Sequence, residues 1–160
     1  MRHKAVSHIF LVIGVILIIS LFSCGKSEVA CLKVDETTFQ EEVLASQTPV
    51  LTVFCNDEVW SRDRTRYSPE YGLYVQPSPV ILAIKKIIQS GQYENRIKFC
   101  RYYMASRSDP VCQEYNIQWF PTTIVFRDGS VFWKAEGAGC IVDKDREKIE
   151  GILREVIDEN

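Results

Sequence analysis

Histidine is almost missing from this chain of 160 residues: it occurs only as His3 and His8, both in the first ten positions. The six cysteines, Cys24, Cys31, Cys55, Cys100, Cys112 and Cys140, show nowhere the close double spacing of a zinc ligand set. No metal centre is therefore expected, and no motif calls for a cofactor. Neither sign of charge dominates, with 19 Lys and Arg against 21 Asp and Glu. A sequence pI near 5.7 argues against an electrostatic nucleic-acid binder. Low-complexity tracts and internal repeats are lacking too, which sets aside solenoids and disordered tails. What remains is the composition of one ordinary globular domain, 46% hydrophobic and 25% charged.

The N-terminus stands apart from that domain. Met1-Arg2-His3-Lys4 is a short basic leader, and Ile9 to Phe22 is apolar except for Gly14 and Ser20. Leader, apolar run and a small-residue break at Ser23 make the layout of a secretory signal over residues 1–23. The run is short for a membrane span, although residues 5–22 can just stretch as an uncleaved anchor in the inner membrane. Leu21-Phe22-Ser23-Cys24 resembles a bacterial lipobox, with Phe22 bulkier than the usual residue. The resemblance implies acylation of Cys24, cleavage before it, and a tether over residues 24–30. A plain signal anchor with a chance cysteine is the other reading. Export implies a cell-envelope location, with the periplasmic face of an outer membrane favoured because no Asp follows Cys24. In an oxidising envelope, pairs among Cys31, Cys55, Cys100, Cys112 and Cys140 can persist as disulfides, and an odd count leaves at least one thiol over. Which pairs form is not legible in the sequence.

The residues after 30 alternate between strand and helix signals. Cys31 to Val34 reads as a short strand, and Asp35 is placed to cap a helix running to about Ser46. Val50 to Cys55 is a continuous apolar run, the pattern of a strand buried on both faces. Residues 56–70 are polar and without period, and read as a long surface insertion carrying Arg62, Arg64 and Arg66. Ser78-Pro79 is a helix start, with Gly91 to close the helix. Ile97 to Tyr103 is a further strand, and Asp109-Pro110 opens a short helix. Thr122 to Phe126 and Val131 to Ala135 flank an Asp128-Gly129 hairpin turn. A last helix over about 143–158 carries Ile149, Ile152, Leu153, Val156 and Ile157 on one stripe. The alternation predicts an α/β domain over residues 31–160, a central mixed sheet flanked by helices.

This order, together with local sequence, resembles the thioredoxin family. Val34-Asp35-Glu36-Thr37-Thr38-Phe39, Pro49-Val50-Leu51, Phe126-Arg127-Asp128-Gly129 and Gly137-Ala138 are similar to family segments. So is Tyr115-Asn116-Ile117-Gln118-Trp119-Phe120-Pro121-Thr122, which leads in the family to a cis-proline. The resemblance implies a thioredoxin-like fold and a cis bond between Phe120 and Pro121. In the family that step exposes backbone groups which pair with an extended peptide.

One feature of the family is missing. Family members carry two cysteines separated by two residues just after the central strand. Counting back from Pro79 puts that position at Tyr71-Gly72-Leu73-Tyr74; counting forward from Phe54 puts it at Val59-Trp60-Ser61-Arg62. Neither stretch contains a thiol to attack a disulfide or release the product. The first register is preferred, because Gly72 keeps a family glycine. The buried acid of the family aligns with Val53, and the lysine that accompanies it with Tyr102. Cys55 and Cys112 are the candidate thiols for a displaced pair, a structural clamp being the alternative and two unpaired buried side chains the third reading.

The resulting expectation is a membrane-anchored envelope protein that binds extended segments of envelope or secreted proteins without standard redox turnover. Its groove would be made by Tyr71, Tyr74, Phe120, Pro121, Gly137 and Ala138. The alternative is a thiol–disulfide oxidoreductase or isomerase using non-standard cysteines.

Overall fold

A computed structural model of the chain describes residues 31–68, 73–103, 108–137, 139 and 141–158, with backbone alone for 66–68, 73 and 74. The leader, Cys24, the tether, Tyr71, Ala138 and Cys140 lie outside the described residues. Among the described residues twelve elements follow in order: β1 (Leu32–Val34), α1 (Gln40–Leu44), β2 (Val50–Cys55), α2 (Asp57–Ser61), β3 (Arg66–Ser68), β4 (Leu73–Val75), α3 (Pro79–Ser90), β5 (Lys98–Tyr103), α4 (Pro110–Glu114), β6 (Thr122–Arg127), β7 (Ser130–Glu136) and α5 (Val142–Asp158).

Five strands form the main sheet in the order β1-β5-β2-β6-β7. β1, β5 and β2 run parallel, β6 is antiparallel to β2, and β7 is antiparallel to β6, so β6 alone of the five runs in the opposite direction. The central strand β2 is buried at all six positions, as its unbroken apolar run requires for a strand covered on both faces. Its side chains alternate. Leu51, Val53 and Cys55 pack with Ile81, Ile84 and Ile87 of α3 and with Ile149, Leu153 and Val156 of α5. Val50 and Phe54 pack on the other face with Val43 of α1 and with Val111 and Cys112 of α4. Full burial of each such aliphatic side chain contributes about 1.5–3 kcal/mol, so the two helix-covered faces carry the stability of the domain.

Two expectations are corrected. The stretch read as a structureless insertion over 56–70 holds the one-turn helix α2 and strand β3, which pairs antiparallel with β4. The helix starts there because Asn56 Oδ1 accepts the N–H of Val59 at 2.7 Å, and Asp57 and Glu58 occupy its first turn. An element this short shows no period in sequence. The helix expected from Asp35 to Ser46 is reduced to α1, a turn wound with i→i+5 geometry, Ala45 N–H bonding Gln40 O at 2.9 Å. Upstream, Asp35 Oδ1 accepts the N–H groups of Thr37 and Thr38, at 3.0 and 3.2 Å. Such side-chain bonds compete with helix hydrogen bonding.

Candidate functional site

Helix α2 leaves the carboxyl end of β2 and brings a charged cluster over it. Asp57 accepts from Lys33 Nζ of β1 at 3.1 Å and from Arg101 Nη1 of β5 at 2.8 Å. One carboxylate thereby joins two strands to the helix, and the Lys33 hydrogen bond, followed by the charge of Arg101, holds its pKa below the usual carboxylate value. Trp60, packed against the α3/α5 core, lies between two cations. The Lys85 ammonium is 5.2 Å and the Arg101 guanidinium 5.7 Å from its ring centroid, and Lys85 also donates to the Trp60 carbonyl. Partial burial lowers the Lys85 pKa, with Asp63 acting in the opposite sense.

The alternation of β5 corrects the alignment of Tyr102 with the family lysine. Arg101 stands opposite Val53 in the β2–β5 register, whereas Tyr102 packs on the other face with Phe54. There its hydroxyl donates to the Asp109 carboxylate, 2.9 Å from each oxygen. The cation that stands opposite Val53 is Arg101, one residue earlier. Tyr102 instead holds down the start of α4, where Asp109 Oδ1 also accepts the N–H groups of Val111 and Cys112.

The proposed pairing of Cys55 with Cys112 fails on the same ground. Cys55 packs with the α3/α5 core and Cys112 with the α1/α4 core, so the sheet separates the two side chains. Cys31, Cys55 and Cys100 are free thiols. Burial pushes the thiols of Cys31, Cys55, Cys100 and Cys112 up to about 12, with Asp109 adding to the effect at Cys112. At neutral pH such groups are protonated and poorly nucleophilic.

At the start of β6 the bond between Phe120 and Pro121 is cis. Phe120 is half-buried against the α1/α4 core. Trp119 beside it is 64% exposed, more than any other large hydrophobic among the described residues. The step is pinned on both sides. The Thr122 hydroxyl donates to the Trp119 carbonyl, and the Gly137 N–H donates to the Pro121 carbonyl at 2.9 Å. Between them, Phe120 makes no backbone hydrogen bond among the described residues. Gly137, at φ 96, adopts a conformation that L side chains avoid.

The structure brings Phe120, Pro121 and Gly137 close together. Tyr74 sits in β4, its backbone paired with Tyr67, and Tyr71 and Ala138 fall outside the described residues. The helix that directly follows β2 is α2, which contains Val59, Trp60 and Ser61 of the other register, while Leu73 and Tyr74 of the preferred one are in a strand. Sequence reasoning missed Arg101 and Trp119. A tryptophan directly before the residue preceding Pro121 was the available signal for Trp119. Arg101 had none short of the strand register.

A five-stranded mixed sheet with helices on both faces and a cis-proline opening β6 is a thioredoxin-like fold. Among solved structures, thioredoxin f2 of Chlamydomonas reinhardtii is similar to this chain, with a TM-score of 0.52. The two are 16% identical, over 79% of this chain and 95% of the other. That likeness extends to the fold alone. No protein-family model matches the chain, and no curated protein matches it. Among the described residues no helix is long and apolar enough to cross a membrane, and no group of metal-ligating side chains is assembled.

Proposed function

We propose that this protein binds an extended protein segment across the Trp119–Phe120–Pro121 step, without thiol–disulfide turnover, while held at a cell-envelope membrane by lipid on Cys24. The observation that carries the reading is the combination at one step of an exposed indole and an unengaged backbone. Trp119 is 64% exposed, and the N–H and C=O of Phe120 bond to no backbone group among the described residues. An extended chain laid against Phe120 gains main-chain pairing, and Trp119 adds aromatic burial, the two contributions that characterise strand addition. The segment would belong to an envelope or secreted protein. Tyr71, Tyr74 and Ala138 are proposed as neighbours of the same groove, and Gly137 as its wall.

Burial of the thiols supports binding over turnover. Cys55, the candidate nearest the missing motif, is 2% exposed with its pKa pushed up to about 12. The oxidoreductase alternative would need that thiol to reach solvent and ionise. The lipid anchor rests on Leu21-Phe22-Ser23-Cys24 and the leader before it.

The test is titration of the full chain, in detergent, with an unfolded cysteine-free polypeptide. Binding in the micromolar range is expected, about −8 kcal/mol, and Trp119→Ala should weaken it at least about tenfold with unchanged thermal stability. Equal binding by wild type and Trp119→Ala would refute the groove. Reduction of a small test disulfide, abolished by Cys55→Ser or Cys112→Ser, would establish the enzyme instead.

A further inference from the structure

A cavity of about 110 Å³ opens between α3, β6, β7 and α5, lined among others by Val80, Thr123, Trp133, Asp145 and Lys148. It adjoins the groove. Gly137 lines it, and the N–H of Gly137 is bonded to the Pro121 carbonyl. Thr123 follows Pro121 by two residues on the same strand.

The polar groups in this cavity divide by whether they are already engaged. Glu136, also in its lining, is ion-paired with Lys134 at 2.6 Å. The Asp145 carboxylate packs closely against Gly139 and has an interaction of its own. Three groups remain. Thr123 is 1% exposed and its hydroxyl makes no hydrogen bond among the described residues. Lys148 forms no ion pair among the described residues; its ammonium rests 5.7 Å from the Trp133 ring centroid. The indole N–H of Trp133 has no acceptor among the described residues. All three can donate, so an acceptor entering the cavity would meet a hydroxyl, an ammonium and an indole N–H.

We propose that this cavity receives the carboxylate of an Asp or Glu side chain from the segment bound at the Trp119–Phe120–Pro121 step, an inference that rests on the groove reading above. Donors of this kind make charge-assisted hydrogen bonds to a carboxylate, stronger than those to a neutral amide. Val80 and the Trp133 ring would cover the methylene stem. The cavity is well below the roughly 300 Å³ at which pockets for free small molecules begin, so a single side chain is the fitting occupant. The charge of Asp145 opposes the carboxylate and that of Lys148 attracts it, which fixes the sign of two variants.

The test uses the full chain in detergent and follows the indole N–H resonances by NMR. The probe is N-acetylglutamate N-methylamide, with its glutamine and lysine counterparts as controls. The glutamate probe should shift the Trp133 resonance saturably, about fivefold more tightly than the glutamine probe, with the lysine probe weakest. Lys148→Ala, at an exposed position, should weaken the glutamate probe about three- to tenfold, and Thr123→Val similarly. Asp145→Asn should tighten it. Equal or tighter binding of the glutamine or lysine probe would overturn the inference, as would an unmoved Trp133 resonance or an unchanged Lys148→Ala. If the unfolded polypeptide engages Trp119 while the glutamate probe leaves Trp133 unmoved, the cavity inference alone fails. If the glutamate probe binds but no polypeptide engages Trp119, the groove reading fails and with it the claim that the carboxylate belongs to a bound segment.

Discussion

Arg101 stands opposite Val53 in the pairing of β5 with β2 and reaches past it to Asp57 Oδ1 at 2.8 Å. A cation thus borders an apolar strand position and is neutralised from the following helix rather than from the strand itself. The same guanidinium lies against Trp60, so strand, helix and aromatic ring are held through one side chain. Replacing it tests the arrangement.

Arg101→Gln should loosen α2 while leaving the domain folded. Iodide quenching of tryptophan emission should rise as Trp60 becomes accessible, and amide exchange should quicken over residues 57–61. The effect should shrink in high salt, because exposed ion pairs are screened within about 10 Å at 0.1 M ionic strength. Unchanged quenching would mean that the core holds Trp60 without the cation.

The four described thiols should resist alkylation at pH 8 in the native state and react together once the chain is unfolded, since burial holds each near 12. The linked stability has a definite sign. The folded pKa lies above the ordinary 9.0, so above pH 9 the unfolded chain releases protons that the folded chain keeps. Stability should therefore be fully present below pH 9 and fall as pH rises from 9 towards 12. Rapid alkylation of native Cys55 would remove the main support for binding without turnover.

Tyr102→Phe should lower stability by about 1.5–3 kcal/mol, the range for a hydrogen bond to a charged group, read as a fall in the urea midpoint. The hydroxyl lost is the one bonded to both Asp109 oxygens. Because Asp109 also caps α4, Asp109→Ala should cost at least as much. A neutral Tyr102→Phe would show that the carboxylate is solvated equally well without it.

Cys24→Ala should abolish labelling with a palmitate analogue in cells and leave the signal uncleaved. Equal labelling of wild type and variant would dismiss the lipid anchor and leave an uncleaved signal anchor as the way the chain is held.

Much of the fold was legible because its signals are local. The unbroken run Val50–Cys55, the Ser78-Pro79 start and Gly91 close of α3, the Asp128-Gly129 turn and the stripe Ile149, Leu153, Val156 each depend on neighbours along the chain. α2 and the β3–β4 pair were not legible, since elements of three to five residues carry no measurable period. For the candidate site, Phe120, Pro121 and Gly137 were singled out through a segment match, and the structure adds how Gly137 is bonded to Pro121.

What the sequence determined by itself is the longer elements, their order, and the lack of a cysteine in both Val59–Arg62 and Tyr71–Tyr74. The tertiary structure decided which face each side chain occupies. A strand residue and its neighbour point to opposite sides of the sheet, so a shift of one position exchanges Arg101 for Tyr102 at the end of β2. The same alternation puts Cys55 and Cys112 on opposite sides of the sheet. Pairing register is set by contacts between residues distant in sequence, and for that reason Arg101, the exposure of Trp119 and the donors around Thr123 emerged only once the strands were assembled.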